Sequence, residues 1–230
     1  VQSMVEGCML GLYRFTKHFT KNDDSNRELE KLTIVDTNIS NLPTINNSLH
    51  IGAITSEATI LARDMVNEPS NYMTPSRIAE IAEEIANEYS LTVRILDVDE
   101  MRNLQMGGLL GVSKGSLEPP KFIILDYIGD PDNKDNNLAL IGKGITFDTG
   151  GISLKAPAGM MAMKGDMAGA ASVIAAIKAI SQIKPKLNVT CLVAATENMP
   201  SGSAQKPGDV LKTFSGKTVE VENTDAEGRL

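Results

Sequence analysis

The residues in this chain whose types could do chemistry together fall in two glycine-punctuated stretches. The first, Leu138 to Ala171, carries Lys143, Asp148, Lys155, Lys164 and Asp166; the second, Asn223 to Leu230, carries Asp225, Glu227 and Arg229. If these segments converge, Asp148, Asp166, Asp225 and Glu227 bring a cluster of carboxylates into one pocket. Like charges at close range raise each other's pKa, so such a cluster calls for cations. Two divalent ions would balance it. A pair of metals about 3.5–4 Å apart lowers the pKa of a shared water and clamps a substrate oxygen, which is a hydrolytic device. Oxygen ligands without His or Cys suit Mn²⁺, Mg²⁺ or Zn²⁺ without selecting sharply among them. Each residue also has a plainer reading. Asp166 could cap the helix that follows it, Asp148 and Asp225 could be turn residues, and the lysines and Arg229 could face solvent. Spacing alone leaves both readings open.

The elements that must position these residues follow from periodicity. Leu138–Gly142 reads as a short buried strand leading into a glycine-rich loop, and Met167–Ile183 as a helix with Val173, Ile174, Ile177 and Ile180 at helical spacing. Strand, loop, helix is the layout in which α/β proteins place chemistry, at the carboxyl end of a strand. Upstream, residues 1–16 read as the end of a helix with Met4, Cys8 and Leu12 on one stripe. Residues 17–31 read as a polar loop or hairpin, Leu32–Val35 as a short strand and 38–48 as a turn-rich stretch. Residues 49–66 form a helix with Ile51, Ile54, Ala58, Leu61, Ala62 and Met65 on one face. Thr74-Pro75 starts another, to about Tyr89. Strands are expected at Thr92–Leu96, Lys121–Tyr127, Val189–Ala195 and Thr218–Glu222, a short helix at Val98–Met106, and a break at Gly107-Gly108. The fold class is therefore α/β, a mixed, largely parallel sheet flanked by helices. The expected organisation is 1–48 as the tail of a smaller α/β domain, 49–66 as a linker helix, and 67–230 as the first part of a catalytic domain.

Several chemistries are set aside. The two histidines, His18 and His50, both precede the charged stretches, which leaves no Ser-His-Asp or Cys-His arrangement near Asp148. Gly216-Lys217-Thr218 resembles the end of a phosphate loop, but Leu211 stands where its first glycine belongs, and Phe147 interrupts the dinucleotide pattern begun by Gly142 and Gly144. Gly111-Val112-Ser113-Lys114-Gly115 matches the nucleophile-elbow pattern, but Pro119-Pro120 follow closely and no histidine lies downstream. A net charge of −7 argues against nucleic acid as a partner. The two cysteines lack CxxC spacing and read as thiols in a reducing compartment. No apolar run approaches the roughly 18 residues of a membrane span, and no signal peptide opens the chain, so the expected location is cytoplasmic.

Gly142-Lys143-Gly144-Ile145-Thr146-Phe147-Asp148-Thr149-Gly150-Gly151 and Asn223-Thr224-Asp225-Ala226-Glu227-Gly228-Arg229-Leu230 resemble the two signature segments of the leucyl aminopeptidase family of cytosolic dinuclear metallopeptidases. Arg63-Asp64, Asn67-Glu68-Pro69 and Thr74-Pro75 resemble its linker-helix region. The resemblance implies an aminopeptidase releasing N-terminal, leucine-like residues by attack of a metal-bridging water. It implies that Asp148 and Glu227 bridge two ions, Mn²⁺, Zn²⁺ or Mg²⁺, that Asp225 completes one site, and that Lys143 and Asp166 complete the other. Lys143 would then ligate as a neutral amine. Lys155 would stabilise the oxyanion, Arg229 would hold a bicarbonate ion that relays a proton, and Met163 would line the pocket for the first side chain. The implied substrates are peptides with a free N-terminus, and the implied assembly is a homo-hexamer. The family pattern continues past Leu230, which implies that residues 1–230 alone are poorly active. Two other roles for the scaffold are a DNA-binding accessory factor and an inactive homologue.

Overall fold

The structure is a computed structural model, and it describes residues 1–20 and 29–229. Most of the expected polar loop, residues 21–28, lies outside the described residues. The chain folds into helices packed on a four-stranded mixed sheet, with a small two-stranded sheet beside it. The strands are β1 (Thr92–Leu96), β2 (Lys121–Ile128), β3 (Asn137–Asp148) and β4 (Asn188–Asn198), in the order β1-β2-β4-β3. Only the long β3–β4 pair is parallel; β1–β2 and β2–β4 run antiparallel, so this sheet carries less parallel pairing than the strand–helix alternation suggests. The reason is that β4 inserts between β2 and β3 rather than adding at the edge.

One face of the sheet is covered by α3 (Pro75–Tyr89) and α6 (Ala168–Ile183), with α2 (Leu42–Asn67) against α6. Helix α3 starts as its sequence dictates. Thr74 accepts a hydrogen bond from the Arg77 N–H at 3.2 Å, and Pro75, which lacks an N–H, occupies the first turn. Its Ile78, Ile81, Ala82 and Ile85 are buried with Ile174 and Ile177 of α6 against Ile123 and Leu125 of β2 and Val189, Cys191 and Val193 of β4. Each such Ile is worth about 1.5–3 kcal/mol of burial, so this layer fixes the strands. On the opposite face Leu96, Met101 and Leu109 pack with Phe122 and Ala194, contributed in part by α4 (Val98–Asn103) and α5 (Gly107–Ser113).

Several expectations need correction. Helix α1 spans Gln2–Gly11 and packs on α2 through Val5; the Met4–Cys8–Leu12 stripe is not its buried face, since Met4 and Leu12 are exposed. Residues 32–35 form no strand, because among the described residues nothing pairs with them and their side chains stay largely in water. Helix α2 begins at Leu42, seven residues before the expected start: Pro43 lies in its first turn, where it is tolerated. Gly107-Gly108 opens a helix instead of breaking one. Ser113, the would-be nucleophile, ends that helix and donates to the Leu110 carbonyl at 3.0 Å. Strand β3 is not a short buried strand; it is an edge strand running to Asp148, with Ile141 exposed. Thr218–Glu220 (β6) pairs with Val210–Lys212 (β5), apart from the main sheet. Met160–Ile183 is long and apolar enough by length and composition to cross a membrane, contrary to expectation. In the fold that stretch is a 3-10 turn followed by α6, whose Ala170, Ala171, Ile174 and Ile177 are buried in the core.

Candidate metal centre

The parallel strands β3 and β4 end side by side, with Asp148 opposite Asn198, and the candidate centre forms at this carboxyl end. The chain after Asp148 is folded back on it. Thr149 donates through its N–H (3.0 Å) and its hydroxyl (2.8 Å) to the Asn198 carbonyl, and the Lys155 N–H donates to the Thr149 carbonyl at 2.9 Å. Gly150 and Gly151 turn with φ of +86° and +66°, and a Cβ on Gly151 would lie 2.8 Å from the Asn198 Oδ1. That left-handed turn is open to glycine and strained for other residues.

The second charged segment, a kinked 3-10 turn at Thr224–Arg229, is bolted onto this loop by Thr224. Its hydroxyl donates to the Gly150 carbonyl at 2.6 Å and accepts from the Ser153 N–H at 2.8 Å. Asn198 Nδ2 completes the joint, donating to the Thr224 carbonyl at 3.0 Å and to Asp148 Oδ1 at 2.8 Å. Segments some seventy residues apart are thereby held in register by neutral donors, before the two lysines are considered.

The charged side chains then meet in two bridged pairs. Lys155 lies between Asp148, at 2.8 Å, and Asp225. Lys143 lies between Glu227 Oε1, at 2.7 Å, and Asp166 Oδ2, at 2.9 Å. Single ligand atoms of Asp148, Asp225 and Glu227 all lie within 4.8 Å of one another, so the two pairs are halves of one cluster. Asp148 and Glu227 are buried, and Glu227 Oε2 has no hydrogen-bond partner among the described residues. A buried, unpartnered carboxylate oxygen beside two further carboxylates is a donor set that fits a hard or borderline divalent cation. Met163 lies half-buried in the 3-10 turn Met160–Gly165 that leads to Asp166. Arg229 is exposed and, among the described residues, has no ion-pair partner; the structure does not bring its side chain into the cluster.

Burial pushes the Lys143 ammonium down, but Glu227 and Asp166 outweigh it and its pKa is raised. Lys155 is likewise lowered by burial and raised, on balance, by Asp148 and Asp225. Burial raises Asp166; Lys143 opposes this, and repulsion from Asp148 and Glu227 adds to it. With no cation at the cluster, both carboxylates favour the charged form of Lys143.

Asn198 and Thr224 are the functional residues that sequence reading missed. Both are neutral and buried. The signal available was positional, since Asn198 ends an apolar strand at the point where an α/β sheet places its site.

A sequence description of the cytosol aminopeptidase family, catalytic domain, matches residues 60–230. A probable cytosol aminopeptidase of Alkaliphilus oremlandii (strain OhILAs) is 48% identical over 229 residues, covering 100% of this chain and 46% of that protein. One of Bacillus subtilis (strain 168) is 42% identical over 228 residues, covering 99% and 45%. The bottromycin maturation enzyme BotP in complex with Mn superposes with a TM-score of 0.87 at 36% identity, covering 99% of this chain and 46% of that one. The chain spans about half the length of the curated relatives it matches.

Proposed function

We infer function from one premise: the chain belongs to the cytosol aminopeptidase family. We propose that the intact protein is a metal-dependent aminopeptidase acting on peptides with a free, leucine-like N-terminal residue. The observation that carries the proposal is the convergence of Asp148, Asp225 and Glu227 within 4.8 Å. Asp148 and Glu227 would hold two divalent ions jointly, Asp225 would complete one site, and Lys143 with Asp166 the other. When bound, such ions supply Lewis acidity and a water of lowered pKa. The Mn-bound state of BotP makes Mn²⁺ the first ion to test.

The remaining work falls to the chain's own residues. Lys155 is an ammonium pinned beside Asp148 and Asp225, where it would stabilise the developing oxyanion of a scissile carbonyl; a cation already in place when that charge develops lowers the barrier to acyl transfer without reorganisation. Met163 would contact the first side chain of the peptide and favour an apolar residue. Arg229, exposed at the end of the second segment, would supply the positive charge that holds a bicarbonate. The homo-hexamer implied by the family resemblance is the proposed assembly of the intact protein.

The test is hydrolysis of leucine p-nitroanilide by the intact protein, with Mn²⁺ and after exhaustive chelation. Activity that needs the metal, with no turnover of the N-acetylated substrate, is the expected result. Equal turnover of the acetylated substrate, or full activity after chelation, would overturn the reading.

A further inference from the structure

We propose that Lys164 is a positioning residue for the metal centre: it seats its ammonium on the carboxyl end of α2 and so fixes the turn that carries Met163 and Asp166. The inference rests on the reading of the centre given above. Helix α2 is 26 residues long and has no basic residue in its last turn. Its final carbonyls lack intrahelical partners and carry the negative end of the helix dipole. The residue that follows, Glu68, is itself buried, and its carboxylate is met from the other side by Lys17 at 2.6 Å and His18 at 2.5 Å. The cation that α2 lacks comes from elsewhere in the chain. Lys164 Nζ donates to the Asn67 carbonyl at 2.5 Å.

That bond matters because it is the turn's polar tie to the rest of the fold, beside its packing against β3. Among the described residues, it is the only hydrogen bond from residues 156–165 to another element; the others in this stretch are local, such as Met160 N–H to Pro157 and Ala162 N–H to Gly159. Residues 156–159 are exposed, Met161 is 85% exposed, and Gly159 turns with φ of +83°. At the inner end, Gly165 passes Val66 of α2 closely, with a Cβ there lying 3.6 Å from Val66 Cγ1. Lys164 and Gly165 together dock the turn on the last residues of α2. Met163 precedes this dock and Asp166 follows it, so the placement of both depends on it. Asp166 Oδ2 reaches Lys143 Nζ at 2.9 Å, and the backbone that carries Asp166 decides whether it can.

The test compares Lys164→Gln, Lys164→Arg and Lys17→Met in the intact protein. Free Mn²⁺ is followed by electron paramagnetic resonance during titration, alongside the ratio of kcat/KM for leucine over alanine p-nitroanilide. Support groups of metal ligands typically govern affinity by about 10–100-fold. Lys164→Gln is therefore expected to weaken the second Mn²⁺ bound by about tenfold or more and to flatten the leucine-over-alanine ratio. Lys164→Arg, which keeps a cation of similar reach, should recover most of both. Lys17→Met removes a cation at the same helix end without touching the turn, and should change neither. A wild-type isotherm and an unchanged ratio in Lys164→Gln, or an equal loss in Lys17→Met, overturns the inference while leaving the metal centre standing. A wild-type protein that takes up no Mn²⁺ overturns the reading of the centre, and this inference with it.

Discussion

Replacing Asn198 by Ala tests whether the centre is held by its neutral joint. The side chain is 2% exposed and donates twice, to the Asp148 carboxylate at 2.8 Å and to the Thr224 carbonyl at 3.0 Å. A hydrogen bond to a charged group is worth about 1.5–3 kcal/mol and a neutral one about 0.5–1.5 kcal/mol. Losing both, with a buried carbonyl left unpaired, should cost about 3–4 kcal/mol, a large part of the roughly 5–15 kcal/mol that holds a domain folded. Urea unfolding should show a lower midpoint at unchanged slope. Asn198→Asp sharpens the test. It keeps the shape but sets a second carboxylate against Asp148, so without metal it should be no more stable than the Ala variant. A saturating divalent ion stabilises a native site by about 2.7 kcal/mol at a hundred times its Kd, and Mn²⁺ should therefore rescue Asn198→Asp more than Asn198→Ala. A midpoint shift for Asn198→Ala equivalent to less than about 1 kcal/mol would refute the claim that this amide joins the two segments.

Gly151→Ala should destabilise by about 2 kcal/mol or more, since the turn has φ of +66° and the added Cβ lands 2.8 Å from Asn198 Oδ1; a thermal melt within error of wild type would contradict it. Glu68 is buried, and burial raises its pKa, but Lys17 and His18 outweigh it and the net value falls below 4.5. A carboxylate depressed in the folded state contributes stability above its unfolded pKa and loses it as pH falls through the folded value. The stability gap between wild type and Glu68→Gln should be full at neutral pH and close below pH 4.5, as read by denaturant midpoints along a pH series. The Cys191 thiol is pushed up to about 12, chiefly by burial, with Asp126 adding to it. It should therefore resist iodoacetamide until denaturant unfolds the chain, and labelling at the wild-type rate of an exposed thiol would show the packing to be wrong.

What the sequence disclosed about this centre was its charge. Asp148, Asp166, Asp225 and Glu227 stand out as like charges gathered in two glycine-punctuated stretches, and resemblance assigned them as a set. What it hid was support. Asn198 sits in an apolar strand and Thr224 beside a more conspicuous Asp, so neither interrupts a pattern. Glycine misled at β3. The strand reads as ending at Gly142 with a glycine-rich loop after it, yet Gly142 and Gly144 both lie within β3, where side chains would strike the Ala170 Cα at 2.8 Å and the Ala194 carbonyl at 2.7 Å. There they allow close packing against α6 and β4, which holds Lys143 on a rigid strand. The stretch 38–48 reads as turn-rich, yet Pro43 within it lies in the first turn of α2. The Thr74-Pro75 start of α3 was legible because cap and proline agree with the apolar periodicity that follows. Pairing order was not legible, because it depends on which strand β4 meets and not on any local signal.

The two lysines explain how the carboxylates can be assembled. At 4 Å and an effective dielectric constant of 20, two like charges repel by about 4 kcal/mol, so a bare cluster of four would work against the fold that builds it. Each ammonium relieves this across segments: Lys155 joins Asp148 to Asp225, and Lys143 joins Asp166 to Glu227. Four carboxylates against two ammoniums leave a surplus of negative charge, and Glu227 Oε2 stays unpartnered within it. The protein thus carries enough positive charge to hold the site together and too little to satisfy it. Lys143 belongs to both sides of that balance. As an ammonium it pairs with Asp166 and Glu227; as the neutral amine the family resemblance implies, it would lose its proton to solvent once a divalent ion replaced it as the positive charge at the same carboxylates.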